Sequence, residues 1–505
     1  MGVPSQIIAV LILLFSTAAV LSDAEEPFDV RRHLSTATRY HVSKDISENS
    51  FVPSKIGDQC KPIHLNLVAR HGTRAPTKKR LKELEAFASR LELLLENVKE
   101  KKSSVKKIPA WFWGWKSPWI GKHKGGELIS EGENEMYQLG IRTRENFPEL
   151  FQEDYHPDIY PIKATQVSRA SASAVAFGMG LFSDRGSLGP GRHRAFAVIS
   201  ESRASDTMLR FHDCCQNYKS FRKSQEPFVD KLKEPVLNEI TQELGTRWGL
   251  NFTRQDVSTL WFLCKQEASL LNTTDRACAL FSPSEVGLME WTDDLEVFIL
   301  KGYAGLVPGS YEMATLRFAH AETLLPFSCL IGLFLDGSGE CFHFEIFSVL
   351  SWLFSLAVPA CKSILRLFLL SFTEFEQILR EQPLQLPPKP PQKRTWHGST
   401  VAPFAGNNML VLHSCPANNS SKYFVQVLHN EHPIPMPGCG NSDFCPFEVF
   451  KEKIAAPHLK HNYNDLCSTQ PKQSDGVSSM SKLSQIFSWI FPAAADAIPS
   501  QKAEL

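Results

Sequence analysis

Two arginines and a histidine crowd into five positions of LVARHGTRAP, residues 67–76, at the end of an apolar run. Arg70, His71 and Arg74 suit an anion, because guanidinium groups grip an oxyanion in bidentate fashion. Their positive field keeps the His71 imidazole neutral, and a neutral imidazole is a nucleophile. Attack on a phosphate held by the arginines gives a phosphohistidine, with the cations countering charge on the equatorial oxygens. The departing alkoxide then needs a proton donor on the opposite side. RFAHAETLLPF, residues 317–327, offers one. His320 and Glu322 lie two apart after LRFA, 316–319, and in extended chain they point the same way. His320 is placed to donate to a phosphate oxygen. Glu322, its pKa raised by the bound anion, is placed to protonate the leaving oxygen. His-x-Glu alone is a weak signal; Arg-His-Gly-x-Arg-x-Pro is a specific one.

These side chains need elements to carry them. KPIHLNLVAR, 61–70, reads as a strand with the cluster at its carboxyl end, where open α/β sheets collect ligands. Pro76 opens a leucine-periodic helix. Residues 159–182 begin as a strand and turn into a small-residue helix at Ser168-Arg169-Ala170-Ser171. Arg169 thus faces the end of the sheet and a helix start, whose N–H groups also favour anions. Helical patterns dominate from residue 183 to about 300, and PLQLPPKPP, 383–391, is an extended connector.

Composition is that of an ordinary globular protein, 505 residues with 43% hydrophobic, 21% charged and zero net charge. No global field draws it to nucleic acid or membrane. Residues 101–126 hold seven lysines, His123 and four tryptophans without an acid. They read as a solvated basic loop pinned by aromatics or as a basic wall beside the anion site, with Lys122 and Lys124 as contacts. Ile7 to Leu21 reads as the core of a signal peptide, residues 1–22. Twelve cysteines and the sequons at Asn251, Asn272, Asn418 and Asn419 suit an oxidising, secretory route. The end, KAEL, is close to an endoplasmic-reticulum retention signal, so the expected compartments are that lumen or a secreted or vacuolar location. Residues 341–372 are far more apolar than their surroundings. Their uncharged core, Ile346 to Cys361, is 16 residues with Pro359 inside, just short of a membrane span.

With RHGTRAP (70–76) and HAET (320–323) the chain resembles the histidine acid phosphatases, in their multiple inositol polyphosphate phosphatase branch; fungal phytases carry His-Asp at the second motif. YHPDIYPIKATQVSRASASAVAFGMGLF, WTDDLEVFILKGY, VAPFAGNNM and PGCGNSDFCPFEVF are similar to the plant members. The resemblance covers most of residues 60–467. It implies His71 as nucleophile, Arg70, Arg74, Arg169 and His320 as the phosphate clamp, and Glu322 as proton donor. It implies inositol hexakisphosphate and lower inositol phosphates as substrates, with no metal and no cofactor. The implied fold is α/β, a histidine-phosphatase fold with a mixed central sheet flanked by helices. The α/β domain would span 23–182 and 306–470, with a mainly helical subdomain at 183–305 and a tail at 471–505. Family disulfides map as Cys60–Cys415, Cys215 (or Cys214)–Cys467, Cys264–Cys278 and Cys439–Cys445, leaving Cys329, Cys341, Cys361 and one of the 214/215 pair unpaired.

The chain departs from that family twice. After KGY (301–303) only AGLV stands where relatives carry a helical stretch, and residues 341–373 are an added apolar block. Loss and gain beside intact family sequence point to altered exon usage. Two further readings follow: a broad-specificity acid phosphomonoesterase or phosphoglycerate phosphatase, and an inactive splice form tethered to a membrane by 341–372.

Overall fold

The computed structural model describes residues 28–47, 59–100, 107–301, 314–331, 333, 396–416, 422–436, 438–440, 442–456 and 467. The expected signal peptide, the 341–373 block, the proline-rich connector, Asn418, Asn419 and the expected tail lie outside them.

Strand β1, Lys61–Arg70, coincides with the expected span. Its last four residues are all buried, as suits a central strand covered on both faces. Leu65, Leu67 and Ala69 enter one core cluster and Val68 another, following the two-residue period of a strand. β2 (Ile162–Ala164), β3 (Val198–Ile199), β4 (Ala314–Ala319), β5 (Asn407–Ser414), β6 (Tyr423–His429) and β7 (His432–Pro433) complete the sheet in the order β3-β2-β4-β1-β5-β6-β7, and β8 (Phe444–Pro446) pairs with β6. β3, β2, β4 and β1 run parallel, whereas β5 and β6 are antiparallel. The sheet is mixed and flanked by helices, hence α/β.

Helix α1, Tyr40–Ser47, precedes the sheet. Helix α2, Lys78–Glu100, buries Leu81, Leu84, Phe87, Leu91, Leu94, Leu95 and Val98 along one stripe, the three-and-four spacing of an amphipathic helix. It starts two residues past Pro76, because the Thr77 carbonyl takes the Leu81 N–H and opens the helix. Helices α3 (Ser130–Asn146) and α4 (Ser168–Leu181) share the Leu65/Leu67 cluster. Helices α5 (Gln216–Trp248), α6 (Arg254–Leu271) and α7 (Pro283–Lys301) build a second cluster around the fully buried Trp291. A reciprocal capping box closes the start of α6: Asp256 N donates to Thr253 Oγ1 at 3.2 Å, and Thr253 N donates to Asp256 Oδ2 at 2.7 Å. Such a cap contributes about 1 kcal/mol.

Residues 23–58 read as weakly patterned, yet 28–47 hold two 3-10 turns and α1. Distant partners supply what local pattern lacks: Ser35 Oγ donates to Asp294 at 2.6 Å and Tyr40 Oη to Glu431 at 2.6 Å.

Disulfides join Cys60 to Cys415, Cys215 to Cys467, Cys264 to Cys278 and Cys439 to Cys445, and Cys214 is free. Cys329 corrects the expectation of an unpaired thiol, for it too is disulfide-bonded. Cystines in this number suit an oxidising compartment. Among the described residues no helix is long and apolar enough to cross a membrane.

Candidate active site

Register brings the two motifs together. β1 and β4 pair in parallel with Arg70 opposite Ala319, so His71 and His320 stand one residue beyond neighbouring strand ends. The His71 N–H donates to the Ala319 carbonyl at 3.0 Å, and the two rings meet edge to face with centroids 5.3 Å apart. On the other side of β4, Ala164 of β2 sits opposite Phe318, which delivers the start of α4 to the same place. From there Arg169 Nη2 reaches His320 Nδ1 at 3.4 Å.

Helix α8, Ala321–Leu330, begins directly after His320, which is its N-cap. His320 and Glu322 therefore do not share the side of an extended strand, as their spacing suggested. The strand ends at Ala319 and Glu322 lies in the first helical turn, where a carboxylate complements the helix dipole.

The loop bearing the nucleophile candidate is held by a contact without side chains. A Cβ on Gly72 would meet the Gly132 carbonyl oxygen at 2.3 Å, and one on Gly132 would meet the Thr73 oxygen at 2.1 Å. Only glycine permits that approach of the loop to α3. Gly72 N also donates to Ser173 Oγ at 3.1 Å, and Thr73 N to the buried Glu135 at 2.8 Å.

Proton positions follow from what each partner can do. His71 Nδ1 lies 2.8 Å from the Gly72 carbonyl oxygen. A carbonyl only accepts, so Nδ1 carries the proton and Nε2 keeps its lone pair. A guanidinium only donates, so His320 Nδ1 accepts from Arg169 and its proton sits on Nε2. That Nε2 is buried without a partner, and so are Nε of Arg70, Arg74, Arg169 and Arg210 and Nδ1 of His212. Orphaned buried polar groups are costly. Here four guanidiniums and two imidazoles are involved, groups whose chemistry suits an oxyanion.

Electrostatics agree with that reading. Burial, then the charges of Arg70, Arg169, His320 and Arg74, hold His71 neutral, well below the ordinary histidine value. Burial and Arg169 do the same to His320. Burial brings Arg70 down to about 9 and Arg169 to about 10, with the Arg74 charge adding to both. Arg70 is anchored by Nη1 to the Thr36 and Ala402 carbonyls at 2.5 and 2.7 Å, and its guanidinium stacks 4.4 Å from the Phe404 ring. Arg74 Nη1 donates to the Ala75 carbonyl at 2.9 Å. Glu322 is half-buried. Burial pushes its carboxyl up, but Lys301 Nζ at 3.2 Å, with His320 and His212, holds it well below the ordinary range.

Sequence reasoning missed His212, Arg210 and Lys301. The His212 ring lies 6.1 Å from that of His320. It sits on a helical turn, Phe211–Cys214, with no local signal beyond following Arg210 by two. Lys122 and Lys124 are exposed on a loop tied to the RHGTRAP segment: Gly126 N donates to Pro76 O at 2.8 Å and Ala75 N to Glu127 O at 2.9 Å. Trp115 and Trp119 are buried, so aromatics do pin this loop.

Residues 63–308 match the family model described as histidine phosphatase superfamily (branch 2). Among curated proteins, multiple inositol polyphosphate phosphatase 1 of Dictyostelium discoideum is 24% identical, covering 83% of this chain and 70% of that protein. Thiamine-repressible acid phosphatase pho4 of Schizosaccharomyces pombe is also 24% identical, covering 82% and 84%. In fold, the phytase from D. castellii matches with a TM-score of 0.59 at 18% identity, covering 96% of this chain and 95% of that one. The Bifidobacterium longum multiple inositol polyphosphate phosphatase, solved with inositol hexasulfate, matches at 0.54 and 16% identity, covering 85% and 98%. Residues 63–308 thus carry a histidine phosphatase superfamily (branch 2) domain.

Proposed function

We propose that the protein removes phosphate from inositol hexakisphosphate and lower inositol polyphosphates through a covalent phosphohistidine. The observation that carries the reading is the His71 tautomer, an Nε2 lone pair facing a cage of orphaned donors. Arg70, Arg74, Arg169 and His320 hold the scissile phosphate. Nε2 of His71 attacks phosphorus, the bond from phosphorus to the inositol oxygen breaks, and that leaving oxygen takes the Glu322 proton. Water then attacks the phosphohistidine, Glu322 receives the water's proton, and inorganic phosphate leaves. The cations neutralise charge on the transferring group throughout. Exposed Lys122 and Lys124 sit on the loop that is hydrogen-bonded to Ala75 and Pro76, a placement that supports contact with further phosphates of a polyanion. The substrate named for the Dictyostelium relative, and the inositol hexasulfate in the Bifidobacterium structure, support the same chemical class. The disulfides support an oxidising compartment, compatible with the endoplasmic-reticulum lumen or a secreted or vacuolar destination. A second reading, a broader acid phosphomonoesterase, is favoured by the S. pombe relative.

The test is to mix the protein with labelled inositol hexakisphosphate, quench within one turnover, and look for phosphohistidine on the chain. The wild type carries the label and His71→Ala does not. A label that persists in His71→Ala refutes the mechanism, and faster turnover of a small aryl phosphate selects the second reading.

A further inference from the structure

Glu322 is asked to be an acid, yet in the open site it is a carboxylate paired to Lys301 at 3.2 Å. The two residues close facing helix ends. Lys301 is in the last turn of α7 and Glu322 in the first turn of α8, so each charge complements its own helix dipole and both helices hold the pair in place. Lys301 makes its ion pair with Glu322 while still one-fifth exposed, and Glu322 is one-quarter exposed, so an entering anion can reach both. An ammonium with a mobile stem exchanges partners more readily than a guanidinium fork. The other charged or titratable groups facing Glu322 are His320 at the N-cap of α8, His212 on its helical turn, Tyr218 on α5, and Arg70, Arg74 and Arg169 of the cage.

Resting on the phosphatase reading, we infer that Lys301 is the positioning residue of Glu322, holding the carboxylate while the site is open and releasing it when a phosphate draws the ammonium away. A dianion beside the released carboxylate disfavours its charge, so Glu322 takes a proton from solvent and becomes the donor the leaving oxygen needs. Lys301 thus links proton-donor competence to occupancy of the cage. An empty site keeps no acid poised, and the ion pair reforms once inorganic phosphate departs.

The experiment compares full-length wild type, Lys301→Met and Lys301→Arg. The pH dependence of kcat/KM reports groups of the free enzyme. In wild type its alkaline limb reflects loss of the Glu322 proton. Removing an opposite charge at this distance raises a carboxyl by about one unit or more. Lys301→Met should therefore move the limb on inositol hexakisphosphate upward by about one pH unit, and Lys301→Arg should leave it in place. On p-nitrophenyl phosphate, whose leaving group needs no proton, the limb should stay put in both. A Lys301→Met profile that overlays wild type on inositol hexakisphosphate, with unchanged thermal unfolding, overturns the inference. A second measurement needs no turnover: the Glu322 carboxyl, identified as the infrared band missing from Glu322→Gln, should protonate when inorganic phosphate is added to wild type. In Lys301→Met it should already be protonated at higher pH without phosphate. No phosphate-induced protonation in wild type also overturns the inference. An absence of phosphatase activity in every form sinks the functional reading instead, leaving the infrared titration to decide the role of Lys301.

Discussion

Among the described residues two largely buried clusters of histidines and carboxylates are built on opposite rules. In one, Glu290 accepts from His33 Nδ1 at 2.9 Å, Ser399 Oγ at 3.3 Å and His397 Nδ1 at 3.4 Å, while Asp294 accepts from Ser35 Oγ and Gly398 N at 2.6 and 3.1 Å. Ligand-type atoms of Glu290, Asp294 and His397 fall within 4.8 Å of one another, but each is already engaged. None of their polar side-chain atoms is orphaned. In the other cluster, around His71, His320 and Glu322, six buried nitrogens have no partner. The first is a clasp that fastens residues 33–35 and 397–399 to α7. The second is a buried surface whose donors the fold itself does not use. Satisfied polarity marks scaffold, and convergent unsatisfied donors of one charge mark a ligand site.

The difference is open to attack by substitution. His71→Ala should lower phosphate release on the order of 10⁴-fold or more, as loss of a nucleophile does, while the thermal midpoint barely changes. Glu290→Ala should do the reverse. It strips the shared acceptor from two histidines and should cost roughly 3–5 kcal/mol of stability, with activity per folded molecule kept. Paired thermal scans and assays decide it, and equal destabilisation by the two substitutions would dissolve the contrast.

Acidity separates the clusters next. Glu290 is held down to about 2, burial being outweighed by its bonds to His33 and His397. A carboxyl lowered on folding adds stability that is complete above its ordinary 4.5 and lost as pH falls toward about 2. His71 and His320 are lowered from 6.5 by burial. The unfolded chain then takes up protons the folded one refuses, so stability drops as pH falls below 6.5. Denaturant midpoints followed against pH should show two separate windows. Glu290→Gln should shrink only the lower one, which Glu322 shares, and His71→Ala should shrink only the upper one.

The smallest effect concerns the rim. Exposed charges contribute about 0.2–1 kcal/mol, so Lys122→Gln with Lys124→Gln should raise KM for inositol hexakisphosphate only a few-fold. Turnover of an aryl phosphate should not change. Equal losses on both substrates would remove these lysines from polyanion recognition.

Much of this was readable along the chain where the governing pattern is local. The span of β1, the turn at Ser168 and the two histidine motifs declare themselves within a dozen residues, because period and terminal chemistry are short-range. His212 and Lys301 do not, since their meaning comes from approaching Glu322 across a helix junction. Likewise 28–47 is organised by Asp294 and Glu431, far away in sequence. Glu322 shows the limit most plainly. Its spacing from His320 suggested a shared strand face, whereas the chain turns into a helix between them.

The contact of Gly72 with Gly132 has one more implication. An imidazole fastened to the scaffold by bare backbone has almost no travel of its own, so an incoming ester must line up its phosphorus with a direction fixed beforehand. Choice among the vertices of a cyclic polyphosphate then rests on which corner can be rotated inward. Randomising either glycine alone should yield no working clones, because the partner leaves no room to retreat.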